Sequence, residues 1–107
     1  MSQSLQILEG AALVRAVEAL DGWEVREGKL SKTFSFPGFV EAFGSMTQVA
    51  LVAEREDHHP EWRNVYGRVE VALVTHVAGG VTERDLRLAG EMERLASTFA
   101  RRGAAVG

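Results

Sequence analysis

The feature that most constrains this chain is a hydrophobic period that switches repeatedly between helical and extended spacing. Leu13, Val17 and Leu20 recur at helical spacing with Ala16 beside them, predicting a helix from about Glu9 to Leu20. Asp21-Gly22 ends it, because glycine accepts the left-handed conformation common after a helix. Trp23-Glu24-Val25-Arg26 then alternates with period two, and Glu27-Gly28 signals a turn. Leu30 to Phe36 alternates again, with Leu30, Phe34 and Phe36 on one face and Ser31, Thr33 and Ser35 on the other. Such runs across a tight glycine turn predict a β-hairpin.

Pro37 suits the first turn of a second helix, where its missing N–H costs nothing. Phe39, Phe43, Met46, Ala50 and Ala53 follow at steps of three and four, to about Arg55, and that stripe should cover the sheet. Trp62 to Tyr66, Gly67-Arg68 and Val69 to His76 predict a second hairpin, which Gly79-Gly80 breaks. Thr82 is a good N-cap, with Asp85 three residues on, as in a capping box. Leu88, Met92, Leu95 and Phe99 then predict a third helix that fades near Arg101-Arg102-Gly103. The expected fold is α+β: a two-layer sandwich of a four-stranded antiparallel sheet with three helices on one face, in the order α-β-β-α-β-β-α. Its 107 residues make a single domain, 1–107, without a linker or repeat. A four-stranded sheet has two edges, and edges pair readily. Val69 to Thr75 is the run expected to join a second copy across a two-fold axis.

Composition narrows the chemistry. The absence of cysteine removes disulfides, thiolate zinc sites and cysteine nucleophiles. A net charge of −3 gives no general attraction to nucleic acid phosphates. Met1 to Leu20 lacks a basic start and is interrupted by Glu9, Arg15 and Glu18, so it does not read as a signal peptide. No run approaches the roughly 20 apolar residues of a membrane span. The expectation is a cytoplasmic protein with no direct nucleic acid or membrane partner.

All three histidines lie between residues 58 and 76. Imidazole titrates near neutrality, with an unperturbed pKa of about 6.5, so it gives and takes protons at physiological pH. A lone histidine is ordinarily a surface or satisfied core residue. His58, His59 and His76 in one segment, the first two adjacent and followed by Pro60, point toward acid–base work. A three-histidine zinc site is the rival. It ranks lower, because adjacent histidines on an extended chain point apart and no H-E-x-x-H pattern is present. Glu54 lies one helical turn before His58 and could orient its imidazole; otherwise it is a solvated charge in the run Glu54-Arg55-Glu56-Asp57. Asp85 reads equally as a helix cap, and Trp62 as a stacking platform or a core filler.

The segment from Glu54 to Asp85 resembles the pterin-4a-carbinolamine dehydratases. The matching string is Glu54, His58-His59-Pro60-Glu61-Trp62, Asn64-Val65-Tyr66, Val69, Val71, Leu73, Thr75-His76, Gly79-Gly80-Val81-Thr82 and Asp85. Trp23, Phe34-Ser35-Phe36 and the Phe39/Phe43 helix extend the likeness more weakly over the rest of the chain. The resemblance implies a hydro-lyase that dehydrates 4a-hydroxytetrahydrobiopterin to quinonoid dihydropterin and water, in tetrahydropterin recycling. It implies no metal and no organic cofactor, and a homodimer or homotetramer. It makes His58, His59 and His76 the catalytic candidates, with Glu54, Thr75 and Asp85 orienting or charge-tuning them. His58 and His76 would stand nearest the leaving hydroxyl, and His59 would bind the ring or share the proton transfer. Pro60 and Trp62 would wall the pterin pocket. The alternative is a binding or assembly module: animal members of that family also act as dimerisation cofactors for a homeodomain transcription factor.

Overall fold

The computed structural model describes residues 5–106, with side chains for residues 5–99. Among the described residues the order is α1 (Gly10–Glu18), β1 (Glu24–Arg26), β2 (Lys29–Ser35), α2 (Phe39–Glu56), β3 (Glu61–Val65), β4 (Arg68–Leu73) and α3 (Glu83–Val106). This is the α+β order that the periodicity predicts.

Two short turns shape the hairpins. Glu27 and Gly28 join β1 to β2 with φ of 53° and 79°. Positive φ at both centres gives the turn whose twist matches a hairpin, and glycine takes one of these places without a Cβ clash. Tyr66-Gly67 joins β3 to β4. A Cβ on Gly67 would come within 2.7 Å of the Phe36 carbonyl oxygen. The Phe36 N–H in turn donates to the Gly67 carbonyl at 2.8 Å. The turn of the second hairpin is thus tied to the end of the first.

The sheet runs β1-β2-β4-β3, antiparallel throughout. β2 and β4 pair over six positions, from Leu30↔Leu73 to Ser35↔Arg68. β4 is therefore interior and the edges are β1 and β3. The expected joining of residues 69–75 to a second copy is corrected by this order: both sides of β4 are already paired within the chain.

Leu30 and Phe34 on β2, and Val69, Val71 and Leu73 on β4, are buried on one face. Ala42, Val49 and Val52 of α2, with Leu88, Ala89, Met92 and Ala96 of α3, pack on them, and Leu13, Val17 and Leu20 join from the first helical segment. Leu30 and Leu73, paired directly, are 0% and 1% exposed. Each contributes roughly 1.5–3 kcal/mol through burial. The opposite face of the sheet is open. Among the described residues no helix is long and apolar enough to cross a membrane.

Three local expectations change. Pro37 lies outside α2, which begins at Phe39 with the extended Gly38 as N-cap. The buried face of α2 is Ala42, Ser45, Val49, Val52 and Ala53. Phe39 and Phe43, expected to cover the sheet, are each 54% exposed. At about 100° per residue, Val40, Phe43 and Leu51 fall on roughly the opposite side of the helix from the buried set, and Phe39 lies on the flank between the two. A helix apolar on two sides has a sequence stripe that points between them. α3 also continues past 101–103, since one glycine within a helix costs only about 1 kcal/mol.

A polar group is built into the rim of the core. Trp23, 6% exposed, donates its indole N–H to Glu93 on α3 at 2.8 Å. Lys32, on the inward face of β2, bonds the same Glu93 oxygen and the Asp21 carbonyl, and lies over the Phe34 ring. Replacing Glu93 by Ala leaves both donors without their carboxylate. It should destabilise the fold by about 1–3 kcal/mol in urea unfolding. A change below about 0.5 kcal/mol would contradict this reading of the rim.

Candidate active site

The site begins with the way α2 ends. Asp57 takes the left-handed conformation, φ 53° and ψ 45°. Its N–H donates to Glu54 O at 3.2 Å, and the His58 N–H reaches back to Ala53 O at 3.0 Å. These two closures satisfy orphan carbonyls of the last turn and reverse the chain. His58 then lies inside, 8% exposed. His59 stays outside, Pro60 is half-buried, and Glu61 enters β3.

A second loop leaves β4. Thr75 and Gly80 form an isolated bridge, with the Thr75 N–H on Gly80 O at 3.0 Å. The N–H groups of Ala78 and Gly79 return to Thr75 O at 3.0 and 2.9 Å. His76 therefore heads this turn, three residues past the end of β4.

One carboxylate joins the loops. Asp85 is 0% exposed. Its Oδ1 meets His58 Nε2 at 2.6 Å. Its Oδ2 accepts from Thr75 Oγ1 at 2.8 Å and from the Thr82 N–H at 2.9 Å. Because Thr75 Oγ1 donates to Asp85, the 2.7 Å contact between Thr82 Oγ1 and Thr75 Oγ1 has Thr82 as donor. The capping role and the histidine-holding role of Asp85 are thus the same bond set. Thr82 Oγ1 accepts from the Arg84 N–H at 3.2 Å, and the Asp85 N–H goes to Thr82 O at 3.0 Å.

The other two imidazoles have their own carboxylates on the surface. His59 Nε2 meets Glu54 Oε1 at 2.9 Å, with side chains 59% and 82% exposed. Glu54 was expected to reach His58 by helical spacing. The reversal at Asp57 breaks that spacing and hands Glu54 to His59. His76 Nε2 meets Glu61 Oε2 at 3.1 Å, and the other oxygen of Glu61 accepts from Lys29 Nζ at 2.8 Å. The Lys29 hydrogen bond holds the Glu61 carboxyl below its ordinary range, with the Lys29 charge and His76 adding to this and slight burial opposing it. Every imidazole is thus engaged through Nε2, and among the described residues no hydrogen bond is made at Nδ1.

Sequence reasoning placed His58, Thr75 and Asp85, and the structure brings these into one buried network. His59 with Glu54, and His76 with Glu61, are separate exposed pairs. Trp62 is half-buried and packs against the core. Three participants were missed. Arg84 Nη2 donates to Glu56 O and Asp57 O at 3.0 and 2.8 Å, pinning the end of α2 from the start of α3. Its signal was a cation in the first turn of a helix, where the dipole disfavours one. Glu61 stands in the family string but was given no role, and its link to Lys29 follows from strand register.

Two hollows lie near these groups: the first is beside His58, and the second is on the open face of the sheet, where Glu61 but none of the three histidines lines it. One of about 70 Å³ is lined by His58, Glu56, Arg84 and Arg87. The other, an open basin of about 770 Å³ on the bare face of the sheet, is lined by Lys29, Glu61, Arg63 and Glu70 among others. Of the two, the basin has the volume of a small-molecule site. Among the described residues no group of three or more His, Asp or Glu side chains is placed to hold a metal ion.

Fold and site together describe a small α+β domain whose imidazoles, carried on two loops, are each held by a carboxylate of a neighbouring helix or strand. A sequence profile described as Pterin 4 alpha carbinolamine dehydratase matches residues 6–95. The chain belongs to that family, a family of lyases. A protein of Nitrobacter hamburgensis is 59% identical over 86 residues, covering 78% of this chain and 85% of its own length. One from Jannaschia is 55% identical over 93 residues, covering 83% and 95%. Both carry pterin-4-alpha-carbinolamine dehydratase as a provisional name. The crystal structure of a transcriptional coactivator/pterin dehydratase from Brucella melitensis superposes with a TM-score of 0.82 at 45% identity, covering 85% of this chain and 99% of that one.

Replacing Asp85 by Asn puts an amide where three donors converge. The amide keeps one acceptor and turns a donor toward the remaining donors, so at least one buried hydrogen bond is lost, and urea unfolding should show a loss of about 1–3 kcal/mol. A loss under about 1 kcal/mol would contradict the central place given to Asp85.

Proposed function

We propose that this chain dehydrates 4a-hydroxytetrahydropterins, with 4a-hydroxytetrahydrobiopterin as the type substrate. The products are quinonoid dihydropterin and water, so the step serves tetrahydropterin recycling. The observation that carries this reading is the set of three imidazoles, each hydrogen-bonded through Nε2 to a carboxylate, in a chain that belongs to the dehydratase family.

Loss of water from C4a needs a proton on the departing hydroxyl. It also needs removal of the proton on N5. A neutral imidazole held at Nε2 offers Nδ1 as base, and the protonated ring offers Nδ1–H as acid. The reaction is proton transfer and loss of water, and no cofactor enters it. His58 and His76 are the pair assigned to the leaving hydroxyl, each steadied by its own carboxylate. His59, open to solvent, binds the ring or shares the transfer. Glu54, Thr75 and Asp85 orient these groups, and Pro60 and Trp62 border the pterin.

The protein is further read as a homo-oligomer in the cytoplasm. The outer face of α2 supports the oligomer: Phe39, Val40, Phe43 and Leu51 are 54%, 77%, 54% and 65% exposed on one side. Grouped apolar side chains of this kind mark association surfaces more often than scattered ones do. The occupant proposed is α2 of a second copy.

Purified protein should speed the dehydration of freshly made 4a-hydroxytetrahydropterin. His58→Ala and His76→Ala should each lower kcat/KM by roughly 10²–10⁴-fold. A wild-type protein no faster than buffer would remove the dehydratase reading. In sedimentation equilibrium the wild type should be larger than a monomer and Phe43→Glu should be monomeric. A monomeric wild type would remove the oligomer reading.

A further inference from the structure

We propose that Glu61 is a positioning residue for His76. It is anchored by Lys29 through one carboxylate oxygen and holds the His76 ring through the other. This rests on the dehydratase reading for its catalytic meaning, but its structural part stands alone.

The strand register places the three residues together. Glu61 pairs with Ala72, and Ala72 pairs with Ser31 on the other side. Lys29 precedes Ser31 by two residues and so shares its open face, since side chains alternate along a strand. Lys29 thus reaches Glu61 from two strands away, across β4, with its ammonium 2.8 Å from Oε1. Ala72, the β4 residue paired with both Ser31 and Glu61, has a small side chain that leaves room on this face.

His76 has a fixed backbone and a free side chain. The turn bonds around Thr75 and Gly79 hold its main chain. The ring itself is 74% exposed. Among the described residues its side-chain hydrogen bond is the one to Glu61 Oε2, at 3.1 Å. Without that bond the two side-chain torsions would sample their ordinary wells. Glu61, by contrast, stands at the start of a paired strand, and its second oxygen is occupied. It is a fixed post for a ring that would otherwise swing.

The bond also sets which nitrogen does chemistry. Glu61 is an ionised carboxylate at neutral pH, so one oxygen accepts from Lys29 and the other is an acceptor for His76. The proton between His76 and Glu61 therefore belongs to Nε2, and Nδ1 faces away from the carboxylate. Positioning of this kind acts on the rate of the bound complex rather than on substrate affinity.

The test reads the ring first and turnover second. Carbon-13 relaxation of the His76 ring in wild-type protein should give order parameters in the rigid range, about 0.85, falling below about 0.6 in Glu61→Ala. Glu61→Gln keeps an acceptor oxygen and should restore most of the order. Lys29→Met should give an intermediate value. With substrate, Glu61→Ala should lower kcat about tenfold or more while KM stays within about twofold, and Glu61→Gln should recover much of that loss. A His76 ring equally ordered in wild type and Glu61→Ala overturns the proposal. A ring that loosens with no fall in kcat overturns its catalytic part. If the wild type lacks dehydratase activity, that reading fails, and the ring measurement still decides whether Glu61 holds His76.

Discussion

The Asp85 carboxylate, fully buried, makes three hydrogen bonds at once: to His58 Nε2, to Thr75 Oγ1 and to the Thr82 N–H. A buried carboxylate is tolerated only when its acceptor sites are filled. Here the filling groups come from three segments: the loop after α2, the loop after β4 and the start of α3. Satisfying the charge therefore requires the loops to meet. Asp85 is also the first-turn acid of α3, where the helix dipole favours negative charge. The same residue starts a helix and draws two histidine-bearing loops together.

Other features of the site follow from that meeting. The left-handed Asp57 turns His58 inward toward Asp85 and, by ending the helix, gives Glu54 to His59. Arg84, next to Asp85, holds the reversed end of α2 by its carbonyls. Thr75, bonded to Asp85, fixes the start of the turn from which His76 reaches Glu61. His58 is held in the interior, and His59 and His76 are held at the surface by the same device. Two environments for one chemical group are a means of separating acid and base roles.

Much of this was legible in the sequence, for identifiable reasons. Alternation in residues 30–36 and 69–73 gave the hairpins, because each strand buries one face only. The capping pattern Thr82–Asp85 gave the start of α3 and, through the family likeness, a residue of the site. The stripe of α2 misled, because Phe39 and Phe43 are apolar without being buried in the chain. The Glu54–His58 spacing misled, because a helix period does not survive a left-handed cap. The place of β4 in the sheet, and with it the Lys29–Glu61–His76 chain, depends on the crossover that puts β4 beside β2. No local pattern records that choice.

The central proposal is that the three histidines carried by the two loops tied through Asp85 act on one ligand. It is tested most directly by titrating a stable dihydropterin into protein labelled with nitrogen-15 in its histidine rings. The account predicts that His58, His59 and His76 signals shift together along one binding curve. Shifts confined to a single ring, or three curves with different midpoints, would contradict it.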